Sequence, residues 1–303
     1  MRCALFGALG VLCWGTTGGG MGAGPTATAG SFPAVQGHRG ASGLAPENTL
    51  AAFRTAIALG ADGVELDLQV SRDGAVVVIH DDTLERTTDR RGRIAELTLA
   101  EIREADAGVR FAAAYRGERV PTLAEVIALV KAEAGAAFRL NLEIKFAAGR
   151  EGQPPDIEAR VLAVLRETDF LHRVTIQSFH HPSPETIKRL APGIFTGLLV
   201  GTRRPVSDPV AAVRRRGADY FAPNFQLVTA ELVASLHAAG IPLAVWTVND
   251  PVELRRLLAL GVGRLAGDTI ISDFPDRALA LRPVGHVPPG PPGTAPGQER
   301  RSP

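Results

Sequence analysis

The chain has only two cysteines, Cys3 and Cys13, both within its first thirteen residues. Two thiols exclude a disulfide scaffold and a thiolate metal site. A surplus of charge is missing too: 33 Lys and Arg face 32 Asp and Glu, for a formal net charge of +1. Nucleic-acid binders need a strong positive excess, so that partner class is excluded. No stretch reaches the ~18 consecutive apolar residues of a membrane-spanning helix. No Gly-x-Gly-x-x-Gly turn announces a dinucleotide fold. Lysine is scarce: Lys131, Lys145 and Lys188 are the only three among 33 basic residues, the rest being arginine. What is present is a 45% hydrophobic fraction spread over 303 residues, which excludes wholesale disorder. The length suits one α/β barrel of ~250 residues with tails, or two ordinary domains.

The N-terminus has the form of an export signal. Met1-Arg2 is followed by an apolar run over 3–14 and by Ala27-Thr28-Ala29, an A-x-A cleavage site. Residues 1–29 are therefore expected to be removed from a periplasmic or secreted protein. The alternative is a true start at Met21 and a cytoplasmic protein. Residues 283–303 are rich in Pro and Gly and are expected to form a disordered tail. The catalytic domain is expected over 30–282, with no membrane span and no oligomeric state specified.

Between these ends, strand and helix patterns alternate. Strands are expected over 35–38, 63–70, 138–145, 174–178, 194–200, 219–222, 243–248 and 269–272. Residues 75–79 follow the turn Arg72-Asp73-Gly74 and form the second arm of a hairpin. Helical spacing recurs over 48–59, 123–132, 157–167, 184–190, 209–216, 230–239 and 252–260, with a last helix after Pro275. About eight alternations predict a TIM (β/α)₈ barrel. Residues 81–120 are polar and irregular, a small insertion after strand 2 that adds nothing to the core.

Side chains alternate along a strand with period two. In Val64-Glu65-Leu66-Asp67-Leu68-Gln69 one face is apolar and the other is Glu, Asp, Gln. In Leu140-Asn141-Leu142-Glu143-Ile144-Lys145 the polar face is Asn, Glu, Lys, and in 175–178 it holds Thr175 and Gln177. The apolar faces must meet the helices, so the polar faces point into the barrel. Carboxylates buried there are costly unless something compensates them. Glu65, Asp67 and Glu143 are all oxygen donors, a set that suits one hard divalent cation, Mg²⁺ or Ca²⁺. His38 and His80 stand at strand ends, where barrel enzymes collect catalytic groups, and can act as acid and base. Lys145, retained in a lysine-poor chain, suits a phosphate oxygen; an ion pair with Glu143 is the alternative. His180 and His181 fall in a strand-end loop, and His172, His237 and His286 read as ordinary surface.

A run of motifs carries a resemblance. Gly37-His38-Arg39-Gly40, Pro46-Glu47-Asn48-Thr49, Glu65-Leu66-Asp67 and His80-Asp81-Asp82-Thr83-Leu84-Glu85-Arg86-Thr87-Thr88 resemble the glycerophosphodiester phosphodiesterase family. So do Val120-Pro121-Thr122-Leu123, Glu143-Ile144-Lys145, Gln177-Ser178-Phe179, Trp246-Thr247-Val248-Asn249 and Ser272-Asp273-Phe274-Pro275-Asp276. The resemblance implies hydrolysis of a glycerophosphodiester to sn-glycerol 3-phosphate and an alcohol. It implies that Glu65, Asp67 and Glu143 are metal ligands and that His38 and His80 are the acid–base pair. By the same resemblance Arg39 and Lys145 contact phosphate, Trp246 lies near the bound alcohol, and Glu47, Asn48 and Gln177 orient the groups that act. Two rivals stand beside this reading. An enzyme acting on phospholipids or lysophospholipids would show an exposed apolar rim or an amphipathic membrane helix, and the sequence has no clear basic amphipathic stretch. A non-catalytic phosphate-binding barrel would lack one of these groups, and none is missing.

Overall fold

In a computed structural model of the chain, residues 32–145 and 156–286 are described. The export signal expected over 1–29 lies outside them, as does most of the expected tail. Eight strands form a parallel sheet that curls into a barrel: β1 (Ala34–Gly37), β2 (Gly63–Val70), β4 (Arg139–Ile144), β5 (Val174–Ser178), β6 (Phe195–Val200), β7 (Tyr220–Pro223), β8 (Ala244–Val245) and β9 (Thr269–Ser272). β3 (Val76–Val78) is the hairpin arm, antiparallel to the outer end of β2. Hydrogen-bonded ladders run in the order β7-β6-β5-β4-β2-β1-β9-β8. The seam between β7 and β8 closes through single bridges, Phe221 to Leu243 and Asn224 to Trp246. β8 is thus shorter than its apolar run suggests.

Helices α1 (Leu50–Ala58), α3 (Leu123–Glu133), α4 (Ile157–Glu167), α5 (Pro182–Leu190), α6 (Pro209–Arg216), α7 (Ala230–Ala238), α8 (Pro251–Leu260) and α9 (Pro275–Leu279) follow the strands; α2 (Leu99–Ile102) belongs to the insertion. Their starts are written in the sequence. Thr122 and Glu125 form a reciprocal capping box on α3, and Asp250 followed by Pro251 opens α8, which Gly261 closes in a left-handed conformation.

The outward faces of β2 and β4 (Val64, Leu66, Leu68, Leu140, Leu142, Ile144) are fully buried against helix residues such as Phe53, Ile127 and Leu162. Each such side chain contributes roughly 1.5–3 kcal/mol on burial. The inward faces make a polar interior. Asn141 Nδ2 donates to Gln36 Oε1 at 3.2 Å, and Tyr220 Oη donates to Asn141 Oδ1 at 3.2 Å. Gly197 makes room for the Tyr220 ring, since a Cβ there would lie 2.1 Å from Tyr220 Cε2.

Three expectations need correction. The insertion over 81–120 is not mere polar excursion: Leu84, Ile94, Ile102, Ala105 and Val120 bury themselves with Val77 and Ile79 beneath it. Their irregular spacing hides this core, because turns rather than a helix or strand gather them. His237 is not free surface; its Nε2 lies 3.0 Å from the buried Asp268 carboxylate. His286 is not free surface either; its Nε2 lies within 3.2 Å of Phe32 N and 3.1 Å of Phe32 O. No helix among the described residues is long and apolar enough to cross a membrane.

Candidate active site

The C-terminal ends of β1, β2 and β4 converge on one acidic cluster. Period-two alternation puts Glu65 and Asp67 on the inward face of β2, and the register sets Asp67 directly opposite Glu143 on β4. Ligand oxygens from all three lie within 4.8 Å of one another, and all three side chains are buried. Burial raises the Glu65 carboxyl, and the Asp67 and Glu143 charges beside it add to the effect, taking it to about 8. Burial also opposes ionisation of Asp67, but Lys145 and Arg39, with help from His80 and Asn48, hold it well below the usual carboxylate range.

Two cations face this cluster. Lys145 Nζ lies 2.8 Å from Glu143 Oε1 and 3.3 Å from Asp67 Oδ1, so the ion-pair reading of Lys145 is what these distances record. Arg39 Nε lies 3.3 Å from Asp67 Oδ2, yet this buried atom makes no hydrogen bond. Arg39 Nη1 donates to Glu47 Oε1 at 2.8 Å. Asn48 Nδ2 donates to Asp67 Oδ2 at 2.8 Å and Asn48 Oδ1 accepts from Asp67 N at 3.3 Å.

The loop after β1 is built to present these groups. A Cβ at Gly37 would lie 2.3 Å from Gly40 O, so only glycine fits that turn. Arg39 and Asn48 take positive φ of 51° and 56°. Such conformations cost about 1 kcal/mol or more. They are held by Arg39 N donating to Glu65 Oε2 at 3.1 Å and Asn48 N donating to Arg39 O at 2.9 Å.

Each histidine has a carboxylate behind it. His38 Nδ1 lies 2.6 Å from Asp273 Oδ1, while its Nε2 faces Glu65 Oε2 at 3.9 Å. Asp273 sits just past β9, and Ser42 Oγ and Asn249 Nδ2 also donate to it, at 2.8 and 2.6 Å. Burial depresses the His38 proton affinity, but Asp273 and Glu65 outweigh it and the pKa is raised. His80 Nδ1 lies 2.6 Å from Asp81 Oδ1. Burial, with Lys145 and Arg39 nearby, lowers the His80 pKa despite Asp67 and Asp81. Gln69 Nε2 donates to His80 O at 3.0 Å and anchors this segment.

Gln177 pairs in register with Glu143 and is buried, its Oε1 3.4 Å from Tyr220 Oη. Trp246 sits at the end of β8, its Nε1 donating to Ala222 O at 2.8 Å, with Phe179 edge-on at 5.5 Å. Glu65, Asp67, Glu143, Lys145, Arg39, Glu47, Asn48, His38, His80 and Gln177 thus gather at one end of the barrel; Trp246 stands across the mouth. Sequence reasoning gave no role to Asp273, Asp81 or Arg86, although all three lie inside the quoted motifs. The available signal was Asp81 next to His80, and Asp273 at the end of the strand that pairs with β1.

The arrangement can be compared with known proteins. The model of the glycerophosphoryl diester phosphodiesterase family matches residues 38–277. The chain is 38% identical over 247 residues to a glycerophosphodiester phosphodiesterase of Caldanaerobacter subterraneus, covering 82% of this chain and 96% of that one. It is 36% identical to one from Bacillus altitudinis, covering 81% and 96%. Its fold resembles that of an Oleispira antarctica phosphodiesterase solved with the product sn-glycerol-3-phosphate, with a TM-score of 0.73 and 32% identity over 82% of this chain and 96% of that one. With a family match across nearly the whole barrel and relatives covered over 96% of their own length, the chain belongs to the glycerophosphoryl diester phosphodiesterase family.

Proposed function

We propose that the protein hydrolyses glycerophosphodiesters to sn-glycerol 3-phosphate and an alcohol, with one divalent cation and the His38–His80 pair. The observation that carries this reading is the convergence of three buried carboxylates with two carboxylate-backed histidines on one strand-end face. The donor set fits a hard cation: three oxygens, no sulfur, and a Glu65 carboxyl whose raised pKa marks negative charge that the protein alone does not compensate. Glu65, Asp67 and Glu143 would hold Mg²⁺ or Ca²⁺, which polarises phosphoryl oxygens and stabilises developing charge.

The chain's own residues supply the rest. Three carboxylates and a dication leave −1; Arg39 and Lys145 turn this to +1, which receives a −1 phosphodiester. Buried Arg39 Nε, with its unused N–H, is a donor for a phosphate oxygen. His38 stands between two carboxylates whose other partners include the neutral donors Ser42 and Asn249. It keeps its proton and gives it to the departing alkoxide. His80 is backed by Asp81, whose charge Arg86 already neutralises. It stays unprotonated and takes the proton of the nucleophile as the bond to the alkoxide breaks: either water, which gives the product directly, or the substrate's own glycerol hydroxyl, which gives a cyclic diester that a water then opens. The test is a coupled glycerol 3-phosphate assay on several diesters with and without EDTA. Turnover that EDTA stops and Mg²⁺ or Ca²⁺ restores is the expected result; full turnover in EDTA refutes the metal.

One observation favours a wider substrate range. Phe179 and Trp246 wall one side of the mouth, and Leu44 and Phe111 are exposed on the insertion side. These exposed apolar side chains support a reading in which the enzyme also accepts lysophospholipids. Acyl-bearing diesters turned over as fast as glycerophosphocholine would establish it.

A further inference from the structure

We propose that Arg86, in the insertion after β3, is a positioning residue whose single guanidinium holds Arg39 and His80 in place through the carboxylates of Glu47 and Asp81. The inference rests on the roles given above to those two residues. Arg86 Nη1 donates to Glu47 Oε2 at 2.7 Å and Nη2 to Glu47 Oε1 at 2.7 Å. Its Nε donates to Asp81 Oδ2 at 2.6 Å and Nη2 to Asp81 Oδ1 at 3.0 Å. Each carboxylate is shared onward. Glu47 Oε1 also accepts from Arg39 Nη1, and Asp81 Oδ1 also meets His80 Nδ1. Every contact in this chain, Arg39–Glu47–Arg86–Asp81–His80, is 3.0 Å or shorter.

The Arg86 side chain is 46% exposed. Ion pairs at such positions contribute little to stability, so the arrangement is poorly explained as a fold staple. What it fixes is geometry. A planar fork can meet two carboxylates at once, each through two N–H groups, whereas a lysine ammonium is a point charge that cannot. Without Arg86, Glu47 is left to Arg39 alone and can draw it away from Asp67. Asp81 is left with His80 as its partner. The charged groups that act on His80 are then Asp67 and Asp81 against Lys145 and Arg39. The cation that offsets Asp81 is gone, and His80 holds a proton more tightly.

The test uses the full chain with Arg86→Met and Arg86→Lys. In both, kcat/KM is expected to fall roughly 10–100-fold, the usual effect of losing a group that orients an active side chain. The melting temperature should stay within about 3 °C of wild type. The acid limb of the pH–rate profile, and the His80 imidazole titration followed by NMR, should move up by about one unit in Arg86→Met. Adding Asp81→Asn should bring the His80 titration back toward wild type, since the uncompensated carboxylate is removed. Unchanged activity and titration in Arg86→Met, or full activity in Arg86→Lys, overturns the proposal. His80→Ala is assayed alongside. If it stays active, the reading of His80 fails; if it is inactive while Arg86→Met is normal, this inference alone fails.

Discussion

Replacing Glu65 by Gln should stabilise the metal-free protein while destroying its response to metal. Glu65 is buried among Asp67 and Glu143, and its carboxyl is raised from an ordinary 4.5 to about 8. A carboxyl with a raised folded-state pKa binds protons more tightly in the folded chain. This group's contribution to stability is therefore fully present below pH ~4.5 and is lost as pH rises toward 8. At pH 8 the half-ionised group costs on the order of 4 kcal/mol relative to the unfolded chain, at 1.36 kcal/mol per pKa unit. Glutamine keeps the shape and an oxygen for Arg39 N but carries no charge. In EDTA at pH 8, Glu65→Gln should gain roughly 2–4 kcal/mol, or about 5–12 °C in melting temperature for a domain of this size. At pH 4.5 the two proteins should melt together. A saturating divalent cation should close most of this gap, because wild type gains about 2.7 kcal/mol at a hundredfold excess over Kd while the variant lacks one charged ligand. Calorimetry or tryptophan fluorescence melts read all of this. Coincident melts of both proteins at both pH values, or equal stabilisation of both by the cation, would refute the reasoning.

Four further outcomes are expected. His38→Ala and His80→Ala should each lower kcat roughly 10²–10⁴-fold, and a nitrophenyl diester, whose leaving group needs no proton, should rescue the His38 variant only; rescue of His80→Ala instead would exchange the roles. Lys145→Gln should impair turnover yet, by leaving Asp67 and Glu143 without their ammonium, tighten metal binding measured by calorimetry; weaker binding would show that Lys145 supports the metal rather than competing with it. Leu66→Ala, fully buried behind Glu65 and Asp67, should cost ~2–5 kcal/mol in denaturant melts, and a loss below 1 kcal/mol would contradict the core described. Deleting residues 1–30 should leave kcat/KM unchanged, and protein recovered from its native host should begin near Gly30; a start at Met1 would overturn the export expectation.

The fold and the acidic cluster were legible for one reason: strands buried on both sides alternate, so charge on a strand interior has nowhere to go but into the barrel. Glu65, Asp67 and Glu143 follow from that alone. Their mutual distance did not, because it depends on the β2–β4 register that sets Asp67 against Glu143. The partners of the histidines were hidden for a different reason. Asp273 meets His38 only because β9 closes on β1; its motif and its place past a strand end are visible in the sequence, but its partner is not. Arg86 sits in a stretch without period, where sequence offers motifs but no geometry. The insertion's own core escaped notice for the same lack of period.

His38 and Asp273 are separated by 235 residues. During synthesis, the histidine, the acidic cluster and Lys145 all leave the ribosome long before Asp273 does. The β1–β9 pairing and the Asp273 contact cannot form before then, and pairings of such long range are slow. A growing chain therefore carries His38 and the acidic cluster before the carboxylate that holds His38. The His38–Asp273 pair is thus a contact that only the complete barrel can make, set when β9 pairs with β1.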